Sequence, residues 1–161
     1  APWRMEYILG SKDQDCIFCT KPRETDVRAA LVLARTTQSV VMMNRYPYAN
    51  GHLMVAPLRH TADLAGMSAS EYADLSDALR RTMGLLKESL RPEGMNVGMN
   101  LGRCGGAGFE EHLHWHIVPR WAGDTNFMPL LAEVRVMPEH LEDLYDRLRP
   151  VFADFAGPWG L

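Results

Sequence analysis

The run His112-Leu113-His114-Trp115-His116-Ile117-Val118-Pro119-Arg120 decides how this chain is to be read. Three histidines alternate with apolar residues at a period of two, the period of a strand. Successive side chains of a strand point to opposite faces, so His112, His114 and His116 share a face at about 6.6 Å intervals. Leu113, Trp115 and Ile117 would fill the other face, which predicts core beneath it. Such a row of imidazoles has three readings: ligands to a metal, a nucleophile flanked by groups that tune it, or solvated histidines without chemistry.

Outward from that strand, four more short apolar runs read as strands: residues 30–34, 40–43, 52–56 and 95–101. The segment Asn44-Arg45-Tyr46-Pro47-Tyr48-Ala49-Asn50-Gly51 between two of them is a turn punctuated by Pro47 and Gly51. Ser68 and Glu71 fit a capping box. Behind it Tyr72, Leu75, Leu79, Met83, Leu86 and Leu90 form one apolar helical stripe, stopped by Pro92 and Gly94. A last helix is expected to start near Pro138 and to bend or end at Pro150. Short connections favour antiparallel pairing, and the class is α+β.

Composition agrees. A length of 161 residues suits one domain, able to bury a core without staples. With 47% hydrophobic and 23% charged residues the chain is neither disordered nor fibrous. A net charge of −3 argues against a nucleic-acid partner, which would need a basic excess. The apolar runs are far shorter than the roughly 18 residues of a membrane span, so no membrane association is expected. No secretory leader is visible, and the three cysteines are an odd count, so a reducing, cytoplasmic setting is expected. We divide residues 1–161 into an N-terminal extension (1–28), a core (29–121) and a C-terminal extension with its helix (122–161).

Other residues bear on the chemistry. Asn100 opens a loop, Leu101-Gly102-Arg103-Cys104-Gly105-Gly106-Ala107-Gly108, whose glycines would let backbone N–H groups cradle an anion. The same glycines also fit an ordinary turn. A phosphate held against imidazoles would suit the histidine strand, because an imidazole is largely neutral and nucleophilic at pH 7. Cys16 and Cys19 form a C-x-x-C, compatible with a metal or with a redox pair.

The histidine strand, Asn100 before it and Gly51-His52-Leu53-Met54-Val55-Ala56-Pro57 together resemble the histidine triad (HIT) family of nucleotidyl transferases and hydrolases. The resemblance spans residues 16–120. Segments 96–102 and 112–127, with Trp3-Arg4-Met5-Glu6-Tyr7-Ile8, resemble its bacterial diadenosine tetraphosphate phosphorylase-like branch. The resemblance implies a HIT-like domain with a five-stranded antiparallel sheet, a long central helix and a C-terminal helix, pairing as a homodimer. It implies that His114 attacks the α-phosphorus of a dinucleoside polyphosphate and that water or inorganic phosphate, the co-substrate of a phosphorylase, releases the nucleotide. It implies further that His116 and His52 hold phosphate oxygens or orient His114, and that the His112 carbonyl sets its tautomer. Asn100, Gly106, Ala107 and Gly108 would line the phosphate, and Asn44 the ribose; Asn44 also fits an ordinary turn, and His52 an ordinary core position.

At Gly108 many members place Ser or Gln, so side-chain help to the leaving group is missing there. Similarity to zinc-bearing members implies a structural zinc on Cys16, Cys19, His60 and His112; no organic cofactor is expected. Other readings are a hydrolase of nucleoside phosphoramidates, a metal-dependent hydrolase using the histidine cluster, and a nucleotide-binding module without catalysis.

Overall fold

The computed structural model describes residues 15–124 and 139–155. Its strands are β1 (Val32–Arg35), β2 (Ser39–Met43), β3 (Leu53–Pro57), β4 (Gly94–Met99) and β5 (Trp115–Arg120). They form one antiparallel sheet in the order β1-β2-β3-β5-β4. Among the described residues three α-helices accompany it: α1 (Ile17–Thr20), α2 (Ala69–Leu90) and α3 (Leu141–Leu148). The expected α+β class and five-stranded sheet are therefore observed. The readings on residues 3–8, on Pro138 and on residues 125–127 lie outside the described residues.

Both faces of the sheet are covered, which is why β2 and β3 read as unbroken apolar runs. On one face Val41, Met43, Leu53, Val55 and Ile117 pack against α2 and α3. On the other, Val32, Val40, Met42, Met54 and Ala56 pack with Phe18 of α1. The second face carries the site.

The strand bearing the histidines begins later than its pattern predicts. Its ladder to β3 ends at Val55 and Trp115. Two residues on, Pro57 has no N–H to give, and its carbonyl meets the His112 ring instead, at 2.8 Å from Nε2. Leu113 turns its N–H to the Thr61 carbonyl at 2.8 Å. His112 and His114 thus stand in the segment leading into β5, and only His116 lies in the strand.

The capping box forms with both halves present. The stripe of α2 is rotated from the expected one. Leu75, Ala78, Thr82 and Leu86 are its buried residues, whereas Tyr72 is exposed. Ala78 and Thr82 escape a search for large apolar residues; Thr82 is tolerated because its hydroxyl donates to the Ala78 carbonyl at 2.7 Å. The helix ends at Leu90 as expected, with Arg91 left-handed (φ 49°). At the other end of the chain α3 stops at Leu148, and Pro150 sits in a 3-10 turn (Arg149–Phe152).

Candidate active site

His52 anchors the first cluster. It follows the turn 44–51, whose Gly51 has φ +74° and lies against the Leu90 side chain, so a larger residue there would be strained and crowded. The Tyr48 backbone N–H donates to His52 Nδ1 at 3.1 Å. A backbone N–H only donates, so the His52 proton sits on Nε2. Nε2 therefore donates to His116 Nδ1 at 2.9 Å. The neutral His116 ring keeps its own proton on Nε2, a donor for an anionic oxygen. Burial, with the nearby His114 second, pushes the His116 pKa down to about 4. This imidazole acts as a neutral N–H donor at pH 7.

His114 is set the opposite way. Its Nδ1 lies 2.8 Å from the His112 carbonyl, which only accepts, so Nδ1 carries the proton and Nε2 the lone pair. Burial lowers its pKa below the usual histidine range, while the bond to the His112 carbonyl opposes the shift. The ring meets His116 edge to face, with centroids 4.8 Å apart. The outcome is a lone pair on one imidazole beside a proton on the next.

His114 itself is only 3% exposed. Space lies on the β4 side: Gly98 pairs with His116, and a Cβ there would meet nothing within 4 Å. Extending that register by one residue sets Asn100 opposite His114.

Further expected site residues take local partners. Asn100 Nδ2 donates to the Gly106 carbonyl at 3.3 Å. The N–H groups of Gly106 and Ala107 donate to the Arg103 and Gly102 carbonyls, so the loop is a turn bonded to itself, with Gly108 exposed at its end. Asn44 Oδ1 accepts from the Tyr46 N–H at 2.9 Å, and its Nδ2 stands 3.4 Å from His52 Nδ1. Asn44 closes the turn that holds His52.

A second cluster joins Cys16, Cys19, His60 and His112, whose donor atoms all lie within 4.8 Å of one another. His112 Nε2 donates to the Pro57 carbonyl, which leaves a lone pair on Nδ1. That Nδ1 stands 3.2 Å from Cys16 Sγ, 3.6 Å from Cys19 Sγ and 3.2 Å from His60 Nδ1. Cys19 Sγ is 3.4 Å from His60 Nδ1. Bonds of about 2.0–2.3 Å in a tetrahedron give edges of about 3.3–3.8 Å. The four residues therefore fit one cation, which would offset their mutual crowding. Burial raises the Cys16 thiol pKa; a bound cation reverses that by favouring thiolate.

One contact has no counterpart among the expected residues. Phe18, 1% exposed, stacks on His114 with centroids 4.7 Å apart and 28° between planes. Its signal in the sequence is its place inside Cys16-Ile17-Phe18-Cys19, where any metal would also fix it.

The family model described as HIT domain matches residues 26–123. The chain belongs to the HIT family. The match takes in His52, His60 and all three alternating histidines but not Cys16 or Cys19, so half of the candidate metal set lies upstream of it. The chain is 36% identical over 151 residues to AP-4-A phosphorylase of Mycobacterium tuberculosis, covering 88% of this HIT chain and 77% of that protein. It is 31% identical over 105 residues to adenosine 5'-monophosphoramidase hnt1 of Schizosaccharomyces pombe, covering 65% and 74%. The solved structure of a Zn-bound histidine triad family protein from Mycobacterium smegmatis shares the fold, with TM-score 0.66 and 24% identity over 89% of this chain and 97% of that one.

Proposed function

We propose that this chain is a dinucleoside polyphosphate phosphorylase that works through a covalent nucleotidyl-His114. The observation that carries the reading is the His114 tautomer: Nδ1–H on the His112 carbonyl and a lone pair on Nε2, next to a neutral His116 donor. The relative named AP-4-A phosphorylase supports the substrate class, since it aligns over most of both chains.

In the first step His114 Nε2 bonds to the α-phosphorus and the bond to the bridging oxygen breaks. From diadenosine tetraphosphate the leaving group is ATP. The nucleotidyl-imidazole is cationic, and its Nδ1–H stays on the His112 carbonyl, which stabilises that charge. His116 Nε2–H and the Asn100 amide face the phosphate oxygens, and His52 holds His116 in the required tautomer. In the second step inorganic phosphate attacks the phosphorus, His114 leaves neutral, and ADP is released. Splitting the displacement in two lowers each barrier. Gly106, Ala107 and Gly108, in the loop that Asn100 bonds, flank the phosphates, and Asn44 takes the ribose.

Zinc on Cys16, Cys19, His60 and His112 completes the site; a closed set of four ligands suits a structural ion rather than catalysis. We place the enzyme in the cytoplasm, where thiols stay reduced. Half-buried Met95 and Val97 of the edge strand β4 and Trp115 beside it fit a homodimer surface; sedimentation as a single chain would contradict it.

The test is incubation with diadenosine tetraphosphate with and without inorganic phosphate. ADP plus ATP formed only with phosphate supports the phosphorylase. AMP plus ATP without phosphate makes it a hydrolase. Turnover of adenosine 5'-phosphoramidate alone would move the chain to the phosphoramidase class.

A further inference from the structure

We infer that Phe18 is a positioning residue through which the metal cluster sets the plane of the His114 ring. The inference rests on the proposed roles of His114 as nucleophile and of Cys16, Cys19, His60 and His112 as metal ligands.

Helix α1 is one turn of four residues without a side-chain cap. So short a helix has no stability of its own. Its order comes from what its side chains hold. Cys16 is its N-cap and Cys19 its third residue, with their sulfurs facing His112 and His60. Phe18, between them, points into the sheet. Its ring stacks on His114 at 4.7 Å, reaches His112 at 5.1 Å, and meets Phe109 edge-on at 5.9 Å. A cation shared by the two sulfurs would pin α1 on either side of Phe18 and leave that ring little freedom.

His114 needs that support. The bond from Nδ1 to the His112 carbonyl fixes one atom of the ring and leaves the plane free to swing about it. Phe18 covers one face of the ring, and His116 stands at 74° to it. Between them the direction of Nε2 is held. An in-line attack tolerates errors of only about 10–20°. The metal thus acts on the chemistry without touching substrate, through one phenyl ring.

The test compares zinc-loaded wild type with Phe18→Leu and Phe18→Tyr, each checked for zinc content and a cooperative melt. Phe18→Met replaces Phe18→Leu if the latter does not fold, since Met fills irregular gaps. Two readouts are followed. The first is the chemical shift of the His114 ring protons at neutral pH, displaced in wild type by the Phe18 ring current. The second is the kcat–KM split with diadenosine tetraphosphate and phosphate.

Leu or Met at 18 is expected to abolish the ring-current displacement and to lower kcat roughly five- to tenfold with KM within about twofold. Tyr keeps both near wild type. Stripping zinc from wild type moves the His114 shifts toward those of Phe18→Leu, and stripping it from Phe18→Leu moves them little. A folded, zinc-loaded Phe18→Leu or Phe18→Met with wild-type kcat overturns the inference, as do wild-type His114 shifts indifferent to zinc. If no nucleotidyl-His114 forms in wild type, the functional reading fails instead, and the ring shifts still decide whether the metal sets the ring.

Discussion

Two neighbouring imidazoles do opposite work because each has a different fixed partner. The His112 carbonyl accepts a hydrogen bond and so keeps a proton on His114 Nδ1, whereas the Tyr48 N–H, through His52, leaves His116 Nδ1 an acceptor without one. The alternation of histidines was legible in the sequence. The His112 carbonyl as partner of His114 followed only from the family resemblance, and the His116 tautomer was not legible, since it depends on a backbone N–H from Tyr48. Phe18 was equally hidden: its contact with His114 spans 96 residues, and only its seat between two cysteines hinted at it. At this scale pH gives a test. His116 takes a proton near pH 6.5 when unfolded but only near 4 when folded. The unfolded chain therefore binds more protons in that window, and stability falls as pH falls from about 6.5 toward 4. His116→Gln should lose this part of the slope, read as melting temperature against pH in wild type and variant. Equal slopes would contradict the half-buried, neutral His116.

Helix α2 spans 22 residues, and its start is held by local chemistry. The Ser68 hydroxyl accepts the Glu71 N–H, and the Glu71 carboxylate accepts the Ser68 N–H. The same carboxylate pairs with Arg59, and these contacts hold its pKa down to about 2, the Arg59 bond contributing most. Ser68→Ala should cost about 1 kcal/mol, a fall in melting temperature of roughly 2–4 °C. A melt unchanged by Ser68→Ala would show the cap to be redundant with packing. The capping box was readable because it lies within four residues. The late start of β5 was not, because it is set by Pro57 on a strand more than fifty residues earlier. Exposure of Tyr72 was likewise decided by tertiary contacts, as α2 presents Ala78 and Thr82 to the sheet.

On the scale of the molecule, the sheet carries a helical layer on one face and the proposed chemistry on the other, with the Cys16, Cys19, His60 and His112 cluster bringing α1 to the segments around His60 and His112. Zinc removal by a chelator should lower the melting temperature by roughly 5–10 °C, and Cys19→Ser should abolish that response. Protein that is isolated without zinc and melts the same with or without it would contradict the site. The central claim is covalent loading of one imidazole. Rapid quenching during turnover of diadenosine tetraphosphate, followed by intact-mass and peptide analysis, tests it directly. The account predicts one adenylate attached to His114 in wild type, chased by phosphate, and none in His114→Ala. Turnover without any adduct, or an adduct that persists in His114→Ala, would contradict it.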